Sequence, residues 1–276
     1  LGHGSVADEI KGRRPNANIK KSLININEEG ALFRSYIDGT NILLSPEKSI
    51  QIQRDLGADF IVVFDECTPF NVDKNYTSNS MLRSHRWSNR SINSFKSKQK
   101  YDSEKGSSGD QAIYGIVQGG VYKDLREESI EFNQNHIDTF GLAIGGSLGS
   151  TKEEMREIVG FTASKLNETR PVHLLGIGDP IDIWSFVENG IDTFDCVSPT
   201  RLARHGSALI KGKKGKINLK NVKYKEKISP IDNECSCYTC KNFTLSYLYH
   251  LFASKELLAL QLLTNHNIFF MNNLMK

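Results

Sequence analysis

Five short apolar runs, each ended by glycine or a polar residue and each followed by a stretch of helical period, are the feature that most restricts what this chain can become. Phe60–Phe64 ends in Asp65-Glu66-Cys67, with a helix expected around Ser80–Lys98. Ala112–Val117 ends in Gln118-Gly119-Gly120, before a helix around Tyr122–His136. Gly141–Ile144 ends in Gly145-Gly146-Ser147, before a helix from Thr151 to Leu166. Val172–Leu175 ends in Gly176-Ile177-Gly178-Asp179, before a helix from Pro180 to Glu188. The fifth unit is Ile191–Phe194, ended by Asp195. Apolar runs alternating with helices imply parallel strands joined by helical crossovers. Folds of that class bind ligands at the carboxyl ends of their strands. The polar and glycine residues stand there in all five units, which packing alone does not require, so they are expected to line one cleft. A closed barrel needs about eight strands; either the sheet is open or further units precede Leu1.

In the fifth unit a carboxylate is expected at the end of a buried strand, with Arg201 and Arg204 close behind it. A carboxylate so placed beside fixed positive charge can attack or stabilise an electrophilic centre on an anionic substrate. Asp195 is therefore the first candidate catalytic residue. The plainer reading is a strand-end Asp that caps the following turn. Asp65 and Gln118 have the same plain alternative, as residues satisfying loop backbone, and Arg201 and Arg204 can equally be surface residues covering apolar area with their stems. Trp87 and Trp184 read as packing residues.

Outside these units, residues 1–20 show no apolar period and read as a loop or unanchored tail. Residues 22–44 alternate around Glu29-Gly30 and Asp38-Gly39, the pattern of a β-hairpin insertion or small meander. Ser45-Pro46 gives a helix start, with serine as N-cap and proline in the first turn, and Leu56-Gly57 gives its stop. From Lys241 onward the text is helical and apolar, consistent with helix pairs packed on a metal knuckle and the barrel wall. The expected division is a barrel domain over 1–230 and a metal-binding helical subdomain over 231–276.

Hydrophobic residues make up 38% and charged residues 24% of the 276, within the range of globular chains. No apolar run approaches the roughly 18 residues that span a bilayer, and the start has no signal-peptide core, so the expected location is cytoplasmic. Net charge is only +3, but Arg201 to Lys227 holds ten Lys or Arg against the single acid Glu226. Such a cluster suits a polyanion such as RNA, or is a solvated basic loop. Of five cysteines, Cys235, Cys237 and Cys240 crowd together in a C-x-C-x-x-C pattern. A disulfide framework does not crowd cysteines this way, whereas a metal site does. With His266 they make a closed tetrahedral shell for one structural zinc at roughly 2.0–2.3 Å, with no position left for a reactive water. His250 is the other candidate for the fourth ligand, although its apolar neighbours suggest that it is packed.

Taken in order, Phe64-Asp65-Glu66-Cys67-Thr68-Pro69, Gly115-Ile116-Val117-Gln118-Gly119-Gly120, Phe194-Asp195-Cys196-Val197 with Pro199-Thr200-Arg201, and the Cys235/Cys237/Cys240/His266 set resemble bacterial tRNA-guanine transglycosylase. The resemblance runs nearly the whole length. It implies a TIM (β/α)8 barrel with a zinc-binding subdomain, here with roughly five of the eight βα units. It implies exchange of the wobble guanine of tRNA anticodons for 7-aminomethyl-7-deazaguanine, a queuosine precursor, by a homodimer. Carried over motif by motif, Asp195 is the nucleophile that holds the ribose covalently, while Asp65, Gln118 and Gly146, with the backbone of Ser147, bind the base. Gly176, Ile177, Gly178, Asp179, Pro180, Ile181 and Asp182 match anticodon-loop contacts, as do Thr200, Arg201, Leu202, Ala203 and Arg204. Cys67 beside Asp65 is the bacterial form, which favours the aminomethyl base over queuine.

The chemistry is consistent with that assignment. Displacing a nucleobase passes through oxocarbenium-like charge that a carboxylate both stabilises and traps. Reading guanine needs acceptors for its ring N–H and amine, which Asp65 could supply, and a donor for O6, which the Gln118 amide or a strand-end backbone N–H could supply. The base must first leave its stack, and single-stranded loop readout is the usual RNA mode.

Three departures are visible. The family's second aspartate, an acid/base group in an Asp-Ser-Gly-Gly sequence with an aromatic residue after it, does not occur, and Leu1 is expected to follow just beyond that strand. Gly146-Ser147-Leu148-Gly149 stands where many members carry Leu-Ala-Val-Gly, and Asp179 stands where relatives are often basic or neutral. A barrel short of strands is expected to expose apolar surface and open edges, and so to be poorly stable alone. Two other functions fit less well: a noncatalytic RNA-binding subunit on the same scaffold, which has no need of a nucleophile, and a phosphate-handling metabolic barrel, disfavoured by the knuckle and the basic stretch.

Overall fold

The computed structural model describes residues 24–69, 72–97, 111–212 and 214–276. The tail reading for residues 1–20 and the Lys98 end of one expected helix lie outside these. By contacts the chain divides into two compact units, one running through Leu175 and including Trp184–Phe194, the other comprising Gly176–Ile183 and Asp195–Lys276.

The first unit opens with strands β1 (Ile24–Ile26), β2 (Ala31–Arg34) and β3 (Asn41–Leu44), antiparallel in that order, so the alternating segment is a three-stranded meander. Its first turn is fixed by Asn27, whose side-chain oxygen accepts from the Glu29 and Gly30 amides, the local bonding at which asparagine excels. Helix α1 (Pro46–Leu56) starts and stops as its sequence predicts. Ser45 Oγ accepts from Lys48 N at 3.2 Å, and Gly57 closes the helix at φ 71°, a left-handed value glycine adopts without strain.

Strand β4 (Phe60–Val62), helix α2 (Lys74–Ser97), β5 (Ala112–Val117), α3 (Lys123–Asn135), β6 (Gly141–Ile144), α4 (Lys152–Ala163), β7 (Val172–Leu174), α5 (Pro180–Glu188) and β8 (Thr193–Phe194) follow. The five strands pair in parallel in the order β4-β5-β6-β7-β8. Consecutive order with a helix after each strand makes this a half-barrel, as the sequence predicts. Ile61, Val63, Ile113, Ile116 and Ala143 form its buried core with Ile50 of α1 and Ile92 of α2.

Half of the buried positions of α2 are serine: Ser80, Ser84, Ser88, Ser91 and Ser94. Ser91 Oγ accepts from Phe64 N at 3.1 Å, Ser84 Oγ accepts from Glu66 N at 2.9 Å, and Ser80 Oγ donates to Glu66 O at 3.2 Å. Backbone past the end of β4 leaves the ladder and must find partners elsewhere; these hydroxyls provide them and hold the segment carrying Asp65.

Two expectations are corrected here. The strand before Asp195 is not buried: β8 has two residues and pairs with β7 alone among the described strands, so Thr193 is exposed and Phe194 half-buried. Trp184 does not pack either, being 63% exposed, because on α5 the buried positions are Asp182, Ile183 and Phe186 and Trp184 points away from them. Trp87 does pack, stacked on Phe64 at 4.8 Å and donating from Nε1 to Glu28 O at 2.9 Å.

The second unit contains α6 (Ser198–Arg204), the hairpin β9 (Ser207–Leu209) and β10 (Lys216–Asn218), and helices α7 (Tyr238–Asn242), α8 (Leu245–Ala253) and α9 (Leu257–Leu274). Ala203, Ala208, Leu219, Leu248, Ala259 and Leu263 form its core. No helix among the described residues is long and apolar enough to cross a membrane.

Candidate active site and metal centre

In the first unit the candidate base-binding residues come together. Gln118 directly follows β5 and is 1% exposed, and its Nε2 donates to Asp65 Oδ2. Burial and the neighbouring Glu66 raise the Asp65 carboxyl to about 6, against the Gln118 bond, which lowers it. Glu66 itself turns away to a separate partner set, the Arg83 guanidinium and the Tyr76 hydroxyl at 2.8 Å.

The Gly145-Gly146 pair after β6 closes on the same amide. Gly146 has φ 79°, which favours glycine, and an added Cβ would stand 2.5 Å from Gln118 Oε1 and displace the amide. A Cβ at Gly119 would likewise strike the Leu125–Arg126 backbone at 2.7–2.8 Å, so the start of α3 can approach the strand end only over glycine.

Helix α3 completes this arrangement with residues that sequence reasoning passed over. Arg126, Ser129 and Asn133 lie on one face and are fully buried. Gln118 N donates to Ser129 Oγ at 2.9 Å and Asn133 Nδ2 donates to Ile116 O at 3.0 Å. Arg126 donates to four carbonyls, of Gly120, Val117, Gly145 and Ser147. The signal available in the text was their spacing of three and four, which puts them on one helical face.

In the second unit Asp195 is exposed, and its Oδ1 accepts from Gly176 N at 2.8 Å. Gly178 packs on Cys196, where an added Cβ would meet the cysteine Cβ at 2.4 Å. Of the residues matched to anticodon contacts, Gly176, Asp179 and Ile181 are exposed, while Ile177, Gly178 and Asp182 are buried. On α6, Arg204 is exposed, Thr200, Arg201 and Leu202 are half-buried, and Ala203 lies in the core. Ala203 thus presents no accessible side chain, and Ile177 very little.

The metal candidates converge. Donor atoms of Cys235, Cys237, Cys240 and His266 lie within 4.8 Å of one another. His266 Nδ1 is 3.7, 3.5 and 3.3 Å from the three sulfurs in that order. Ligands bonded at roughly 2.3 Å (sulfur) and 2.1 Å (nitrogen) about one tetrahedral ion would be separated by about 3.6 Å, so the group fits a metal. His266 Nε2 stands 2.8 Å from Leu209 O; donation to that carbonyl fixes the tautomer with Nδ1 toward the sulfurs. The next residue, Asn267, donates to Pro199 O and Ser207 O and accepts from Leu209 N, tying α9 to α6 and β9. His250 is exposed rather than packed: Leu248, Leu251 and Phe252 take the buried face of α8, and residue 250 falls opposite.

The family model described as TGT, queuine tRNA-ribosyltransferase, matches residues 16–276. Curated relatives named queuine tRNA-ribosyltransferase include that of Roseiflexus sp. (strain RS-1), 42% identical over 283 residues, covering 100% of this chain and 70% of the relative. That of Protochlamydia amoebophila is 43% identical, covering 100% and 68%. That of Francisella tularensis subsp. novicida is 46% identical, covering 91% and 65%. The chain therefore spans about two-thirds of the length of these relatives. With a parallel half-barrel, a three-cysteine and histidine metal group and a family match over most of its residues, the chain belongs to the queuine tRNA-ribosyltransferase family.

Proposed function

We propose that the protein is a cytoplasmic, homodimeric tRNA-guanine transglycosylase that replaces the wobble guanine of tRNA with 7-aminomethyl-7-deazaguanine on the way to queuosine. The observation that carries this reading is the Asp65–Gln118–Gly146 cluster, a carboxylate, an amide and tight glycine backbone suited to a guanine edge. An ionised Asp65 accepts from the ring N–H and the exocyclic amine, and Gln118 turns its amide to O6.

Asp195 acts as nucleophile. Its carboxylate bonds to the ribose anomeric carbon as the glycosidic bond breaks, and the bonding pair leaves on the guanine ring nitrogen, which takes a proton from solvent water. The RNA stays attached while one base departs and another enters. The incoming base gives its ring N–H proton to solvent water as that nitrogen bonds to the same carbon, and the Asp195–carbon bond breaks with its electron pair returning to the carboxylate. The Gly176 amide orients the carboxylate for both displacements. Gly176, Asp179, Ile181, Thr200, Arg201 and Arg204 meet the anticodon loop, with the arginines on phosphates. Zinc on Cys235, Cys237, Cys240 and His266 is structural, since four protein donors leave no open position.

The test is labelled guanine incubated with tRNA carrying a wobble guanine and, separately, with the same tRNA bearing adenine there. Label entering only the first supports the reading, and label entering neither overturns it. The Asp65 environment adds a pH signature. The acceptor form fills as pH rises through about 6, so base affinity is expected to rise over that range and to be lost in Asp65→Asn. Stability runs the other way. A carboxyl raised above its ordinary value favours the fold at pH below that value, and the benefit is lost as pH rises through about 6. Asp65→Asn is therefore expected to be more stable than the parent at neutral pH, by about 3 kcal/mol, and nearly equal to it near pH 4. Urea denaturation at the two pH values checks this.

A further inference from the structure

Arg126 is 0% exposed, and among the described residues no carboxylate pairs with it. Burying a guanidinium without a counter-ion is costly, and an apolar side chain would fill the same space at less cost. Its presence needs a reason, which its hydrogen bonds supply. Nε donates to Gly120 O at 2.8 Å, Nη1 to Val117 O at 3.1 Å and Gly145 O at 2.9 Å, and Nη2 to Ser147 O at 3.2 Å. The first two carbonyls bracket Gln118 and the last two bracket Gly146. Ser129 and Asn133, on the same helix face, hold the β5 end alone; Arg126 spans both strand-end loops. A planar fork with five fixed donors can do this, and a flexible ammonium cannot match its directions.

We propose that Arg126 is a positioning residue for base recognition, setting the spacing between the Gln118 amide and the Gly146 backbone through the carbonyls on either side of each. The assignment rests on the reading of Asp65, Gln118 and Gly146 as the base pocket. Arg126 itself does not touch the base.

The experiment compares the parent chain with Arg126→Met and Arg126→Lys by backbone amide exchange, by guanine binding in calorimetry and by base-exchange kinetics. Amides over 118–120 and 145–149 are expected to exchange about tenfold faster in the Met variant, with other strand-end segments unchanged. The KM for guanine is expected to rise about 10- to 100-fold, the cost of misplacing a recognition group by about an ångström, while the KM for tRNA stays within about twofold. Lysine, which keeps the charge but loses the fork, is expected to behave like Met rather than like Arg. A folded Met variant with parental protection in both loops overturns the proposal, as does a lower melting temperature with an unchanged guanine KM, which marks a purely structural residue. If Met does not fold, Lys carries the same readouts. If the parent neither binds nor exchanges guanine, the functional reading fails, and local amide exchange alone decides whether Arg126 sets the two loops.

Discussion

Asp195→Asn is expected to reduce base exchange by about 10⁴- to 10⁶-fold, the range seen when a catalytic nucleophile or its partner is removed. Asparagine has nearly the same shape, and its side-chain oxygen can still accept from the Gly176 amide that holds Oδ1 in the parent. Folding should therefore be unchanged, and the loss should fall on the chemical step. Two readouts separate this from a binding defect. The parent is expected to leave a tRNA-linked species under denaturing conditions when quenched during turnover, and the variant none. The KM for tRNA is expected to remain near the parent's. An Asn variant that still forms the linked species would remove Asp195 from the reaction and leave it as the turn former that its position after β8 also permits.

The second large effect concerns the metal. Cys237 is buried, caps α7 through its sulfur at 3.3 Å from Cys240 N, and stands 3.5 Å from His266 Nδ1. Cys237→Ser, or chelation of the parent, is expected to abolish cooperative unfolding of the second unit. Structural zinc contributes about 10–16 kcal/mol of apparent binding energy in small metal-dependent folds, comparable to a typical domain's entire stability. The check is amide exchange across α8 and α9 together with bound zinc per chain. Retained protection with no metal would show that the apolar core around Leu248 and Leu263 suffices by itself.

Much of this molecule is legible in its sequence because the features that carry it are periodic or crowded. The half-barrel announces itself through apolar runs bounded by glycine, and the metal group through three cysteines in one short stretch. Side chains that face the expected way from a helix are equally readable, as Leu248 and Leu251 show. What was not legible is polar burial. Arginine in a helix ordinarily reads as solvent-facing, so Arg126 gave no sign of its four buried carbonyl partners. His250 and Trp184 misled in the opposite direction: each sits among apolar neighbours in the text, but one residue of helical advance turns a side chain by about 100°, and both face outward. The strand before Asp195 reads as buried because composition carries no information on how many neighbours a strand has.

The serine face of α2 changes what counts as a conservative replacement. On a helix of ordinary kind, exchanging a buried serine for alanine or valine adds apolar contact and passes as harmless drift. Here Ser84→Val or Ser91→Ala would withdraw the acceptor from the Glu66 or Phe64 amide and strand a buried N–H, whose desolvation is not recovered by packing. Substitution scores built on hydrophobicity would rank such variants as improvements. Lineages of this chain are thus expected to exchange serine there for threonine or another small hydrogen-bonding residue, so that the helix remains weakly hydrophobic for as long as the segment bearing Asp65 is kept in place.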